Sequence, residues 1–322
     1  MRLLSAADFQ DRVTFITGPR RASGKTALAL AALAILRREG ISAGILGVGF
    51  EGESKGLSSA GARSARIGVE TGDLFASASA WLGASGSEAE ILGILRGSGA
   101  FGTLVLARAR RPGMAVLVGP DSNEATAEAI DLMREEGAKA ILVDGAFGRL
   151  TQVASIEGAR FLQSVIIDRG TVEASLASMR RLAMLAALPA ALPVAAALPL
   201  AAGSRGKALS AGEFVEIKGP LTAAGLAALP EEPSRIVIED LTKVFLEDSA
   251  LRSLRLRHEL AVRRRIDFGG FVIALRGLSI GEFLGAIDAG EKGADPGLSA
   301  FDLPRTLLFA SPYDEGAACD VA

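Results

Sequence analysis

The chain has 322 residues, 49% of them hydrophobic and 22% charged, and a formal charge of −2. This is a globular composition with enough apolar material for one large core or two smaller ones; it excludes a disordered, collagen-like or coiled-coil chain, and its near-neutral balance gives no basic footprint for nucleic acid. One cysteine, Cys319, and one histidine, His258, exclude an intrachain disulfide framework, a cysteine cluster for zinc or iron–sulfur and a histidine-based metal centre, which leaves glycines, carboxylates, lysines, arginines and hydroxyls to carry any chemistry.

Apolar runs of five to seven residues alternate with helical patterns, as in parallel α/β proteins whose strands are buried on both faces. In chain order, the pattern predicts a strand over 13–17, a helix over 25–39 stopped by Gly40, and a second strand over 43–50. A short strand near 73–75 and a helix over 87–96 follow, then strands over 103–107 and 115–118. A helix over 122–136 leads to strands over 140–143 and 164–167. Further on, 214–217, 235–239 and 270–274 read as strands and the Arg-rich stretch 249–265 as a solvated or domain-facing helix, since it lacks interleaved aromatics. The expected division is 1–175, a connecting segment 176–205 and a smaller α/β unit 206–322.

Mean hydropathy of +0.35 is high for a soluble protein and raises the question of a membrane span. The one long uncharged run, Leu182 to Gly203, has the length of a spanning helix, but Pro189, Pro193 and Pro199 interrupt it. The expectation is an Ala/Leu/Pro region of short helical and extended pieces covering the core between two halves, with a span as the alternative. The first eight residues carry an early acid and no sustained apolar run, so no secretory signal and a cytoplasmic location are expected.

The most informative stretch is Val13-Thr-Phe-Ile-Thr-Gly18-Pro19-Arg20-Arg21-Ala22-Ser23-Gly24-Lys25-Thr26-Ala27, a strand running through a glycine loop into a helix. Such a connection can cradle phosphate: backbone N–H groups and the helix N-terminus face the anion, Gly24 lets the backbone approach, Lys25 neutralises phosphate oxygens and Thr26 offers its hydroxyl to Mg²⁺. Five residues separate Gly18 from Gly24, one more than in a plain Walker A loop. The acids expected to complete the site lie at strand ends: Asp144 as a Mg²⁺ ligand, and Glu51 or Glu53 as a second ligand or water-orienting base, with no choice made between them. Among Arg20, Arg21, Arg108, Arg110, Arg111 and Arg149, Arg149 is the strongest candidate to stabilise charge on a transferring phosphoryl group. No Asn-Lys-x-Asp guanine-reading box is present, so ATP is the expected nucleotide. The fold class expected is therefore α/β, a P-loop NTPase with a mainly parallel sheet flanked by helices, plus the smaller C-terminal unit.

The Gly-x5-Gly-Lys-Thr spacing resembles the dethiobiotin-synthetase-like branch of P-loop NTPases. Together with Gly47-Val-Gly-Phe-Glu51-Gly-Glu53, Ala107-Arg-Ala-Arg-Arg-Pro-Gly113, Leu117-Val-Gly-Pro120 and Val143-Asp-Gly-Ala-Phe-Gly-Arg149, it is similar over residues 12–150 to bacterial proteins encoded beside B12-dependent lysine 5,6-aminomutase and D-ornithine aminomutase. Gly148 departs from that pattern, standing before Arg149 where an acid is expected. The resemblance implies a reactivase component, an ATPase that opens the aminomutase to exchange its damaged corrinoid, with the aminomutase or a second reactivase subunit as partner. The expected activity is thus a Mg-ATP-dependent switch on a protein. An ATP-dependent synthetase acting on a small carboxylate or amine, nucleotide binding without turnover, and a homodimer stay open.

Overall fold

The computed structural model describes residues 1–20, 22–47, 66–82, 88–99, 102–120, 122–147, 150–191, 198–200, 214–227, 235–292 and 303–312. The chain opens with β1 (Arg12–Gly18), α1 (Lys25–Arg38), β2 (Ala43–Gly47), β3 (Arg66–Val69), β4 (Leu74–Ala78), α2 (Ser79–Leu82), β5 (Ala89–Gly99) and β6 (Gly102–Ala109). Next come β7 (Gly113–Val116), α3 (Asn123–Glu135), β8 (Ala140–Phe147), α4 (Leu150–Ser155), β9 (Arg160–Asp168), α5 (Val172–Ala186), β10 (Leu198–Leu200), β11 (Phe214–Ile217), β12 (Leu221–Thr222) and α6 (Ala223–Ala227). The last elements are β13 (Arg235–Ile238), β14 (Val244–Phe245), α7 (Asp248–Arg257), β15 (Glu259–Val262), β16 (Asp267–Arg276), α8 (Ile280–Lys292) and β17 (Leu308–Ala310).

These elements form two compact units, one of Met1–Val172 with Gly269–Phe283 and Pro304–Ala322, the other of Glu173–Phe268 with Leu284–Leu303. Residues 269–283 and 304–322 thus group with the first unit, where the sequence had suggested a separate unit over 206–322.

The first unit is built on a nine-stranded sheet in the order β17-β16-β9-β1-β8-β2-β4-β6-β5. β1 runs parallel to both β8 and β9, β8 to β2, β2 to β4 and β16 to β17, while β6 is antiparallel to β4 and β5. The expected α/β architecture with a large, mostly parallel sheet flanked by helices is present. β1 is central, and every residue from Val13 to Gly18 is buried, as a strand covered on both faces requires. α1 packs a stripe of Leu28, Ala29, Ala32, Leu33 and Leu36 into the core. Each fully buried leucine there contributes about 1.5–3 kcal/mol. Gly40, at φ 67°, ends the helix in a conformation that side chains disfavour. At the β17 edge, Arg2 pairs with the strand backbone, places its guanidinium 4.2 Å from the Phe309 ring centre and bonds Asp8 at 2.6 and 2.9 Å.

Two expected helices are corrected. Residues 88–96 are not helical: from Ala89 onward they form β5, and residue 87 lies outside the described residues. Apolar residues at 91, 92, 94 and 95 fit either period, but Gly93, Gly97 and Gly99 weaken a helix, and Gly93 lets Leu132 of α3 approach so closely that a Cβ there would lie 2.8 Å from it. The helix over 249–265 stops at Arg257; His258 is extended, and Glu259–Val262 become β15, with Leu260, Ala261 and Val262 buried beside β13. Burial in a four-stranded sheet, β10-β11-β13-β15, parallel throughout, outweighs helix continuation. The second strand is described as Ala43–Gly47, and positions 48–50 lie outside the described residues. In the 182–203 run, α5 ends at Ala186 and 198–200 form β10. No helix among the described residues is long and apolar enough to cross a membrane.

α8 begins with a capping box, Ser279-Ile-Gly-Glu282. The Glu282 N–H donates to Ser279 Oγ (3.2 Å), and Ser279 N–H and Oγ donate to Glu282 Oε2 (2.8 and 2.9 Å). Those bonds, with Arg169 at 2.7 Å, lower the Glu282 pKa to about 2. A depressed carboxylate favours the folded state above its unfolded pKa, near 4.5, and that contribution is lost as pH falls through about 2. Side-chain carboxyl NMR is expected to find Glu282 titrating near 2, and Ser279→Ala to move it upward; an unshifted midpoint in the wild-type protein would contradict the box.

Candidate functional site

At the carboxyl edge of β1 the chain leaves the sheet at Gly18, crosses the short loop to Gly24 and enters α1 at Lys25. The loop turns back on itself so tightly that a Cβ on Gly18 would lie 1.9 Å from Ser23 Oγ. Among its described residues, Ala22 at φ 55° and Gly24 at φ 87° are left-handed; Gly24 takes this conformation without a side-chain penalty, and a Cβ there would lie 3.2 Å from Ser164 Oγ. Pro19, Arg20 and Ala22 are exposed, Ser23 and Lys25 are buried, and Thr26 is half-buried. Ala27 faces solvent on the first turn of α1, away from its buried stripe.

Beside this loop, β8 supplies Asp144. The register pairs Ile16 with Asp144 and then Thr17 with Ala146, leaving Gly145, at φ 109°, as the extra residue that bends β8 below its end. Asp144 also stands opposite Gly47 of β2, so its carboxylate is carried by a strand held on both sides. The Thr26 hydroxyl donates to Asp144 Oδ2 at 2.8 Å, with Asp144 only 8% exposed. A hydroxyl and a carboxylate from residues 118 apart in sequence thus meet at the start of a 14-residue helix, where the helix dipole favours negative charge.

No protein-family model, curated protein or solved structure matches the chain. The site is therefore defined by its own geometry. Of the residues singled out from sequence, the structure brings Gly18, Ser23, Gly24, Lys25, Thr26 and Asp144 together at one sheet edge. Arg21, Glu51, Glu53 and Arg149 lie outside the described residues.

Arg108, Arg110 and Arg111 do not converge on this edge. β6 runs antiparallel to β4, pairing Arg108 with Leu74 at the start of β4, so these arginines lie at the opposite end of the sheet. There Arg108 bonds Glu136 at 2.6 Å, Arg111 bonds Glu88 at 2.9 Å, and Arg110 pairs with Glu90. The antiparallel pairing that moves them is a tertiary feature with no local signature.

Sequence reasoning also missed the support from β9. Thr17 Oγ1 donates to the Leu162 carbonyl at 3.0 Å, and Ser164 Oγ donates to the Ser23 carbonyl at 2.6 Å. Both depend on β9 lying next to β1, a pairing with no local signature.

Proposed function

We propose that the Gly18–Thr26 loop binds the phosphates of Mg-ATP and that the protein is an ATPase of P-loop type. In this reading it acts as a switch on a protein partner, with a B12-dependent aminomutase the partner suggested by sequence resemblance. The observation that carries the reading is the 2.8 Å bond between Thr26 and Asp144, which joins the helix entrance to the adjacent strand β8.

The residues present fit the proposed ligands. Thr26 and Asp144 offer hard oxygen donors. That suits Mg²⁺, which keeps several waters and takes other ligands from nucleotide phosphates. When bound, Mg-ATP supplies the phosphoryl group and much of the charge neutralisation. Lys25, fixed at the first position of α1, sets a cation beside the loop. Thr26 and Asp144 hold each other in place, and the backbone N–H groups at the helix start orient the anion.

Purified protein is expected to bind Mg-ATP and release phosphate, and Asp144→Asn to lower that release about 100-fold while blunting its Mg²⁺ dependence. Absence of binding at millimolar nucleotide would sink the reading. Stimulation by an aminomutase holoenzyme supports the switch, whereas ADP formation requiring a small carboxylate or amine would assign the loop to a synthetase.

A further inference from the structure

We propose that Ser164 is a positioning residue for the loop: its hydroxyl pins the Ser23–Gly24 peptide in the orientation that phosphate binding requires. The inference rests on the phosphate reading of the loop for its purpose, though not for its geometry.

Ser164 lies on β9, is 6% exposed, and donates to the Ser23 carbonyl at 2.6 Å. The bond spans 141 residues of sequence and is buried. In a trans peptide the carbonyl and the following N–H point in opposite directions. Holding the Ser23 carbonyl towards β9 therefore turns the Gly24 N–H away from that strand. The flanking conformations make this restraint necessary. Ala22 at φ 55° is strained for a residue with a side chain, and Gly24 at φ 87° has no Cβ to resist rotation, so the peptide between Ser23 and Gly24 is a natural place for a flip. Ser23 cannot share the task through its own side chain, because its Oγ is buried against Gly18 and makes no hydrogen bond among the described residues. The close fit at Gly24, whose Cβ would sit 3.2 Å from Ser164 Oγ, shows how directly β9 backs the loop.

The test compares Ser164→Ala and Ser164→Cys with Thr17→Val. Thr17→Val removes another buried bond between β1 and β9 and leaves the loop carbonyl held. Amide hydrogen exchange over residues 18–26 is measured without nucleotide, and the dissociation constant for Mg-ATP is measured alongside. In Ser164→Ala, loop exchange is expected to accelerate about ten-fold and the dissociation constant to rise about ten-fold, with Ser164→Cys intermediate and Thr17→Val within about two-fold of wild type on both. Wild-type exchange in Ser164→Ala, or equal effects from Thr17→Val, overturns the proposal. If Ser164→Ala does not fold, Ser164→Cys against Thr17→Val decides it by the same criteria. If wild-type protein binds no Mg-ATP, the phosphate reading fails, while the exchange comparison still decides whether Ser164 holds the loop.

Discussion

Replacing Lys25 with Met is expected to lower phosphate release about 10²- to 10³-fold, the range found when one preorganised charge-stabilising group is removed from a site of this kind. Lys25 is 6% exposed and begins α1, so its stem is buried, and in the proposed reading its ammonium neutralises the bound phosphates. Methionine keeps much of the apolar stem and is a good helix former, which separates loss of charge from loss of fold. The variant should melt within a few degrees of wild type yet bind Mg-ATP far more weakly, as followed by calorimetric titration and phosphate release. Unchanged turnover in a folded Lys25→Met protein would remove the loop from the chemistry.

Gly270→Ala is expected to give the largest loss of stability. Gly270 lies in β16 at φ 130°, where an added Cβ would stand 2.5 Å from the Leu307 carbonyl oxygen and 2.7 Å from Phe309 Cε2. The nearest obstacle is backbone, which cannot rotate aside like a side chain. Backbone strain and overpacking together are expected to cost about 3–4 kcal/mol. The single tryptophan, Trp81 in α2, belongs to the first unit and reports on its unfolding. Urea unfolding followed by its fluorescence should show a midpoint lower by about 1 M, given a slope near 3 kcal/mol per molar. Gly277→Ala is the control: φ is 63° and nothing lies within 4 Å of the added Cβ, so strain alone should cost about 1 kcal/mol. A Gly270→Ala protein as stable as this control would contradict the packing of β16 against β17.

Features set by local chemistry could be read directly from the residues. β1, α1 and the glycine turn between them follow from a buried apolar run, an Ala/Leu helix and Gly18, Gly24 and Gly40. Asp144 could be tied to a strand because three apolar residues precede it, but the strand does not end there as the sequence suggests: β8 runs on past the Gly145 irregularity to Phe147. The contact of Asp144 with Thr26 follows once β1 and β8 are neighbours. β5 reads as a helix from sequence because Ile91-Leu-Gly-Ile-Leu95 satisfies both helical and extended periods, and its pairing with β6 decides between them. β15 was hidden because arginines on both sides of Glu259–Val262 continue a helical pattern, while burial against β13 is a tertiary effect. The short strands β3, β12, β14 and β17 carry too few residues for a periodic signal. Ser164 and Thr17 look like ordinary strand hydroxyls until β9 is seen beside β1.

The order of strands in the first unit has a consequence for biosynthesis. β9 is complete at Asp168, yet its neighbour β16 begins at Asp267, and β17 follows only at Leu308. At a ribosomal rate of about 5–20 residues per second, roughly five to twenty seconds separate the emergence of β9 from that of β16. During that interval the outer edge of β9, whose inner side braces the Ser23 carbonyl, has unpaired backbone groups and is open to association with other nascent chains. A chain truncated after Asp168 would retain the loop, Lys25 and Asp144 but not that edge protection, so its weakness would be aggregation more than a missing chemical group.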